Sequence, residues 1–190
     1  SGAELSNNQL VNTILTGADL RNANLSGTDL STANIFGIVD GINILEKTKL
    51  IGANLTNANL TNTNFMGADI SEVILKGADL TGVKLERAKV NNANLEDVDL
   101  SFYNLSNIRL VDSNLTGAIF SGANLTDANL SGADLIDADL TGAKLIDVNL
   151  TNANLTGANF HMADLTGAHL EGVTINETTL SCIGHEICTS

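Results

Sequence analysis

The most reactive side chains in this chain belong to two cysteines near its C-terminus. Cys182 and Cys188 lie six residues apart in the segment SCIGHEICTS, with His185 between them. A continuous helix would separate their Cα atoms by about 9 Å, which exceeds the reach of a disulfide, roughly 7 Å. Gly184 can supply a bend that brings the two thiols together. We therefore expect a disulfide between Cys182 and Cys188 that closes a short C-terminal cap, residues 181–190.

Two other uses of these cysteines stay open. They could be free thiols, one of them buried. Cys182, His185 and Cys188 could also bind a metal ion, although they supply only three ligands at a spacing that is not standard for zinc. A disulfide would indicate an oxidising compartment such as the periplasm or the thylakoid lumen, and the alternative is the cytoplasm.

The rest of the chain is organised by a repeat of five residues. From Leu5 to Leu180 every fifth residue is apolar except Asp40, and 28 of these 36 central positions are Leu. Ala is the commonest residue two positions before each centre, and Asn or Asp is the commonest residue directly before it. Ser or Thr, and then Gly, usually follow the centre.

A spacing of five residues fits neither a regular helix nor a flat strand. Successive centres would lie about 140° apart around a helix, and they would alternate between the two faces of a strand. Both conflicts disappear if the backbone bends in the same direction once in every five residues. Ala53 and Leu55 then point inward and Asn54 points outward. Thr56 and Asn57 form the corner, where Gly and Asn both tolerate a positive φ.

Turns of such a coil can stack through backbone hydrogen bonds about 4.8 Å apart. The chain contains no Pro, which agrees with this pairing because most backbone N–H groups are then needed by a neighbouring coil. Leu and the smaller Ala together fill a narrow interior. Period and composition therefore predict an all-β fold of the β-solenoid type.

Several copies of the unit have closely related sequences: ADLTG at 78–82 and at 163–167, ANLTN at 53–57, and ANLSG at 23–27. These units resemble those of the pentapeptide-repeat family, and the resemblance covers residues 1–180, which we expect to form one domain. It implies a right-handed quadrilateral β-helix with four repeats per coil and about nine coils. The Leu-centred units are similar to cyanobacterial and thylakoid-lumen members, whereas members that protect topoisomerases tend to use more Phe centres.

The chain is strongly acidic, with 22 Asp and Glu against 9 Lys and Arg and a net charge of −13. Direct binding of nucleic acid is disfavoured, since phosphate contacts need Lys and Arg. The charge can serve solubility alone, or it can attract a basic partner or imitate nucleic acid. With 20 residues per coil, Asp79, Asp99 and Asp139 fall in one outward column, which a basic partner would contact.

The repeat is interrupted at residues 36–50, FGIVDGINILEKTKL. In an unbroken coil Asp40 would point inward, and an unpaired buried carboxylate is strongly unfavourable. We therefore expect a loop excursion that exposes its aliphatic side chains, which makes it a candidate contact for a protein partner. These side chains are Ile38, Val39, Ile42 and Ile44. The alternative is a distorted coil in which Asp40 is hydrogen-bonded at a corner.

Phe102 and Tyr103 form a second irregularity. Tyr103 occupies the position of the narrow Ala, so either it swings outward or its ring fills a local void. The pair is interpreted as an aromatic contact spot or as a tolerated packing defect. Outward amides such as Asn94, Asn114 and Asn154 are expected to form side-chain ladders between coils.

Enzymatic chemistry is not expected. A catalytic site brings acid, base or nucleophile groups together in a concavity, and a filled solenoid offers none. His161 and His169 take outward positions on different faces, and the many Ser and Thr residues are corner residues. We expect no cofactor.

The two ends and the surface suggest partners of different kinds. No cap precedes the first coil, so its unpaired backbone groups need cover from a missing segment, a partner, or a second copy in a homodimer. No apolar run approaches the roughly 18 residues of a membrane span.

The repeat, the surface and the loop lead us to expect a non-enzymatic rigid scaffold that binds an unknown protein. The alternative, implied by the family resemblance, is an acidic DNA mimic that binds a type II topoisomerase (gyrase).

Overall fold

The computed structural model divides the chain into two compact units, Ser1–Ala93 and Asn94–Ser190. The same five-residue element builds both units. The structure describes residues 2–11, 13, 18, 20–21, 23–26, 28, 30, 50–175 and 184, and the backbone of 38–39 and 42–43.

Each five-residue element buries two side chains. From Leu50 to Leu165 every central residue is buried, and so are most of the small residues two positions earlier. Ala123 and Leu125 are fully enclosed, whereas Asn124 between them faces outward. The inward and outward orientations predicted from the repeat are therefore confirmed. Leu and Ala fill the interior together, as the narrow coil requires.

Residues twenty apart pair in parallel within each unit. Asn54 pairs with Ile74 in the first unit, and Asn124 pairs with Lys144 in the second. The hydrogen bonds are reciprocal, since Leu125 N donates to Lys144 O at 2.7 Å and Lys144 N donates to Ala123 O at 2.9 Å. One coil thus takes four five-residue sides, and the backbone polar groups of a side are satisfied by the coils next to it.

Many corners are stabilised by an Asn or Asp that precedes the central residue. Oδ1 of Asn54 accepts hydrogen bonds from Thr56 N at 3.0 Å and from Thr56 Oγ1 at 2.6 Å. This is an Asx turn, which explains why Asn or Asp and Ser or Thr recur two residues apart. The last corner residue then takes a positive φ, 55° at Asn57 and 69° at Gly82. The predicted corner positions are confirmed.

The Asx turns also correct the expectation of amide ladders. The side-chain oxygens of Asn94, Asn114 and Asn154 accept hydrogen bonds from the backbone amides two residues later, so these oxygens are used within their own turns. A contact between coils does occur elsewhere, where Asn124 Nδ2 donates to Asn104 Oδ1 at 3.3 Å. Closing the local turn is therefore the main role of the outward amides.

The backbone departs from the coil in the predicted 36–50 excursion. Strand β1 (Ile38–Val39) pairs with strand β2 (Ile42–Asn43) in antiparallel register, whereas the coils pair in parallel. Asp40 and Gly41 separate the two strands in the sequence, and Asp-Gly is favoured in two-residue hairpin loops.

The register of the coils measures the size of this insertion. Asn24 pairs with Asn54, thirty residues away, whereas other pairs of the unit are twenty apart. Ten additional residues therefore lie between Leu30 and Gly52. Because ten residues make two sides, the faces assigned by simple counting are shifted for residues that precede the insertion.

A few polar or large residues occupy the position of the narrow Ala. Thr63 is buried there, and its Oγ1 donates to the carbonyl oxygen of Leu30 at 2.8 Å. Tyr103 is half-buried, and its backbone N still donates to Leu100 O at 3.3 Å, so the corner before it keeps its geometry. No helix within the described ranges is long and apolar enough to cross a membrane.

Candidate protein-binding surface

The outward carboxylates are held in place by the same turns that form the corners. Asp139 accepts hydrogen bonds from Thr141 Oγ1 at 2.6 Å and from Ser121 Oγ, one coil earlier, at 2.7 Å. Thr141 N donates to the same carboxylate at 3.0 Å. Asn159 reaches the group from the following coil. Asp139 is therefore a fixed negative charge and not a freely rotating one.

These hydrogen bonds favour the ionised form of several aspartates. The hydroxyl of Thr81 lowers the pKa of Asp79, and Ser101 and Thr166 lower the pKa of Asp99 and Asp164 in the same way. Burial acts against ionisation at Asp139, but the hydroxyls of Thr141 and Ser121 and the amide of Thr141 outweigh it and lower the pKa of that group. All four groups carry their charge at neutral pH.

Negative charge is concentrated in the second unit. Residues 94–190 contain 13 Asp and Glu, against Arg109 and Lys144 as the only Lys or Arg in that part of the sequence. Residues 1–93 contain 9 acidic and 7 basic residues. The first unit also holds an exposed ion pair, in which Lys89 Nζ lies 3.7 Å from Asp69 Oδ2. The negative field of the chain therefore arises mainly from the second unit.

Within the second unit, carboxylates gather on two adjoining sides and the corner between them. One column runs from Asp99 through Ile119 to Asp139, because each residue pairs with the next. Asp134 and Asp137 belong to the same coil as Asp139. Glu96 and Asp97 belong to the coil of Asp99, two coils away and so roughly 10 Å distant at the usual strand spacing. We call the set of six carboxylates the acidic face: Glu96, Asp97, Asp99, Asp134, Asp137 and Asp139.

The corner next to this face carries exposed apolar side chains. Phe102 is 82% exposed and Met162 is 67% exposed, and both occupy the last corner position. Gly122 and Gly142 lie between them in the same column, one residue per coil. The edge of Phe102 lies over Gly122, with Cδ1 and Cε1 each 2.7 Å from where a Cβ at Gly122 would be. We call these four residues the apolar corner.

The structure brings two of the predicted contact residues together, and it places others within the first unit. Asp99 and Asp139 share one column, as predicted, whereas Asp79 lies in the first unit and pairs with Asn59. The backbones of Ile38, Val39 and Ile42 form the hairpin. Asp40, Ile44, Cys182 and Cys188 lie outside the described residues. The disulfide and the metal alternative therefore stay predictions.

Side chains suited to metal binding do not converge in the described part of the chain. No three His, Cys, Asp or Glu side chains lie close enough there to hold a metal ion. His161 and His169 are both exposed and occupy different positions of the repeat, a corner and a side.

The apolar corner was only partly foreseen from the sequence. Phe102 stood out beside Tyr103, but Met162 did not, although the two are sixty residues apart and so share a column when a coil has twenty residues. A search for apolar residues at the last corner position would have found both.

Comparisons with known proteins agree with this architecture. A family model described as pentapeptide repeats matches in eight copies, over residues 1–35, 48–87, 93–132 and 133–172. No curated protein sequence is detectably similar to the chain.

Several solved structures are similar to it. HetL, a pentapeptide repeat protein involved in heterocyst differentiation regulation in the cyanobacterium Nostoc sp. strain PCC 7120, is 28% identical, with 97% of this chain and 91% of that chain covered and a TM-score of 0.49. A pentapeptide repeat protein of the Arabidopsis thaliana thylakoid lumen is 22% identical, with coverage of 76% and 69% and a TM-score of 0.21. The plasmid-mediated fluoroquinolone resistance protein QnrB1 is 18% identical, with coverage of 93% and 91% and a TM-score of 0.33.

Proposed function

Because the chain belongs to the pentapeptide-repeat family, we propose that it is a non-enzymatic scaffold that binds another protein through its outer surface. The observation that carries the proposal is the filled interior. Every central residue from Leu50 to Leu165 is buried, so the charged side chains of this stretch are presented on the outside. Hydrogen bonds between coils hold these groups at fixed spacings, which favours recognition of an extended surface.

The charge of the second unit indicates the chemistry of the partner. Two carboxylates of its acidic face, Asp99 and Asp139, have lowered pKa values, and no Lys or Arg is interspersed among the carboxylates in residues 134–139. A partner with a basic surface would be attracted over a distance of about a Debye length and would associate faster at low salt. We infer that the acidic face is the main contact.

A charge-matched pair of variants tests this proposal. The first variant replaces four carboxylates of the acidic face by Asn: Asp97, Asp99, Asp137 and Asp139. The control replaces four others of the same unit: Asp112, Asp127, Asp147 and Asp164. Both lose the same net charge, and Asn preserves the turns because it accepts the same hydrogen bonds and tolerates a positive φ.

The readout is quantitative cross-linking and affinity purification from extracts of the source organism with the full chain. We expect protein partners that are recovered with the unmodified chain and the control but are lost with the acidic-face variant. Failure to recover any partner, or equal loss with both variants, would contradict the proposal.

The concentration of negative charge in residues 94–190 also favours a second candidate, an acidic DNA mimic that binds a type II topoisomerase. A supercoiling assay with purified gyrase decides between the two candidates. If the chain neither protects nor inhibits gyrase at micromolar concentrations, the DNA mimic is eliminated.

Two finer features belong to the same proposal. We infer a right-handed winding, as the family resemblance implies, with about nine coils less the half coil taken by the insertion. We also infer an oxidising compartment, the thylakoid lumen or the periplasm, which depends on the bond between Cys182 and Cys188.

A further inference from the structure

We propose that the apolar corner, together with Asp99 and Asp139, binds a segment of the partner protein in which Lys or Arg alternates with large apolar residues. The inference deepens the proposed scaffold function and rests on it. It names the part of the surface that is contacted and the chemistry of what contacts it.

The first argument is the residue types at this corner. Among the described residues with positive φ, all others besides glycine are Asn, Asp, Glu or Arg, and the two apolar exceptions are Phe102 and Met162. Their φ values are 63° and 59°, in a region that bulky side chains adopt only with strain. Both exceptions fall in one column of one unit. Residues strained in this way and exposed are often retained for binding.

The fold does not require an aromatic residue at this corner. Asn62 precedes Gly82 by one coil in the first unit, as Phe102 precedes Gly122 in the second. Asn satisfies the same corner without strain and without exposing apolar area to water. The side chain of Phe102 therefore brings no structural advantage that Asn lacks.

The second argument is the shape of the corner. The ring of Phe102 covers Gly122, but nothing lies within 4 Å of the position that a Cβ at Gly142 would take. The backbone of Gly142 is thus the floor of a shallow notch, with the Phe102 ring on one side and the corner of Met162 on the other. The notch is one coil wide, about 5 Å. It admits a single apolar side chain.

The third argument is charge complementarity. On one of the two sides that meet at the apolar corner, Ile119 is 37% exposed between the carboxylates of Asp99 and Asp139. On the other side Lys144 pairs with Asp164. Ser121 and Thr141 hold the Asp139 carboxylate in one orientation. A partner side chain in the notch would bring its sequence neighbours within reach of these carboxylates. Lys or Arg is the complement to them, and an acidic segment would be repelled.

Defined peptides provide the test. The probe is the fluorescein-labelled peptide GKFKLKFKG, compared with GEFELEFEG, which reverses the charge, and GKSKSKSKG, which removes the apolar residues. Affinity for the full chain is measured by fluorescence anisotropy, and the site is located from the chemical shifts of glycine amides. We expect GKFKLKFKG to bind at least tenfold more tightly than either control and to shift the amides of Gly122 and Gly142.

The double variant Phe102→Asn with Met162→Asn is expected to weaken binding at least fivefold while its melting temperature stays the same or rises. The matched control is Ile74→Asn, which removes an exposed apolar side chain of the first unit and should not affect binding. Absence of binding, equal binding by the double variant, or shifts confined to other glycines would overturn the inference. A natural partner that the double variant still retains would contradict this site and leave the scaffold function intact.

Discussion

Oδ1 of Asp147 occupies the space that a Cβ atom at Gly167 would need, one coil further along the second unit. The same contact recurs at other corners, where an Asn or Asp is followed twenty residues later by Gly. These pairs are Asn57 and Gly77, Asn62 and Gly82, Asp97 and Gly117, Asp112 and Gly132, Asp137 and Gly157, and Asn152 and Gly172. Corner glycines therefore have two functions, since they accept a positive φ and leave room for the side chain of the preceding coil.

This contact predicts different costs for two similar glycine substitutions. Gly167→Ala and Gly142→Ala both put a Cβ at a positive φ, 71° and 64°, which costs about 1 to 2 kcal/mol. Only the new Cβ at 167 also meets a side chain, because Gly142 has Gly122 before it. We expect Gly167→Ala to lower the free energy of unfolding by about 0.5 to 1.5 kcal/mol more than Gly142→Ala, measured by urea denaturation, because the Asp147 carboxylate must leave its rotamer.

A double-mutant cycle isolates the steric part of that difference. In the variant Asp147→Gly, residue 167 has a glycine one coil before it, as Gly142 has Gly122 one coil before it. In this background Gly167→Ala should cost no more than Gly142→Ala does. Equal costs for Gly167→Ala with and without the Asp147 side chain would contradict the contact.

The hydrogen bonds that Asp139 accepts predict that its acceptor oxygens matter more for stability than its charge. Asp139→Ala removes the acceptor of Thr141 N, Thr141 Oγ1 and Ser121 Oγ, and we expect a loss of about 1 to 3 kcal/mol. Asp139→Asn keeps an acceptor oxygen and should cost well under half as much. Thermal melts of the two variants provide the measurement. Similar melting temperatures for both would show that the carboxylate acts by charge alone.

The lowered pKa values predict an acid-dependent loss of stability. Asp79, Asp99, Asp139 and Asp164 have folded pKa values below the ordinary 3.8, so the unfolded chain binds more protons near that pH. Their contribution is fully present well above pH 3.8, and it is lost as the pH falls through the folded pKa values. Stability should therefore decrease on acidification below about pH 5.

Replacing these four aspartates by Asn separates this effect from the change in overall charge. We expect the unmodified chain to melt at a higher temperature than the variant at pH 7. At pH 3 this difference should be smaller. A difference that is the same at both pH values would exclude a contribution from these carboxylates.

The cysteine prediction has a direct chemical test. If Cys182 and Cys188 form a disulfide, iodoacetamide will modify them only after reduction of the unfolded chain, as intact mass spectrometry will show. Modification without reductant would indicate free thiols and favour the cytoplasm. Protection that is removed by a chelator instead of a reductant would favour the metal site.

Several predictions from the sequence depend only on neighbouring residues, and these agree with the structure. The inward positions of Ala53 and Leu55 and the corner at Asn57 follow from a bend every five residues, whatever the rest of the chain does. The amide ladder expected at Asn114 is not seen between the described side chains, and the side-chain oxygen of Asn114 closes a turn with the amide of Thr116.

Contacts between residues twenty or more apart required the tertiary structure. The pairing of Asn24 with Asn54 depends on how many residues the insertion adds, and the sequence does not state that number.

The amino-acid sequence by itself determined that the chain is a solenoid with five-residue sides, because steric and hydrophobic constraints act within each unit of the repeat. Only the tertiary structure decided which outward residues become neighbours. It placed Phe102 over Gly122 and Asp147 over Gly167, each across one coil. Stacking makes neighbours of residues that are distant in the chain, and their contacts are therefore properties of the coil register and not of any local sequence.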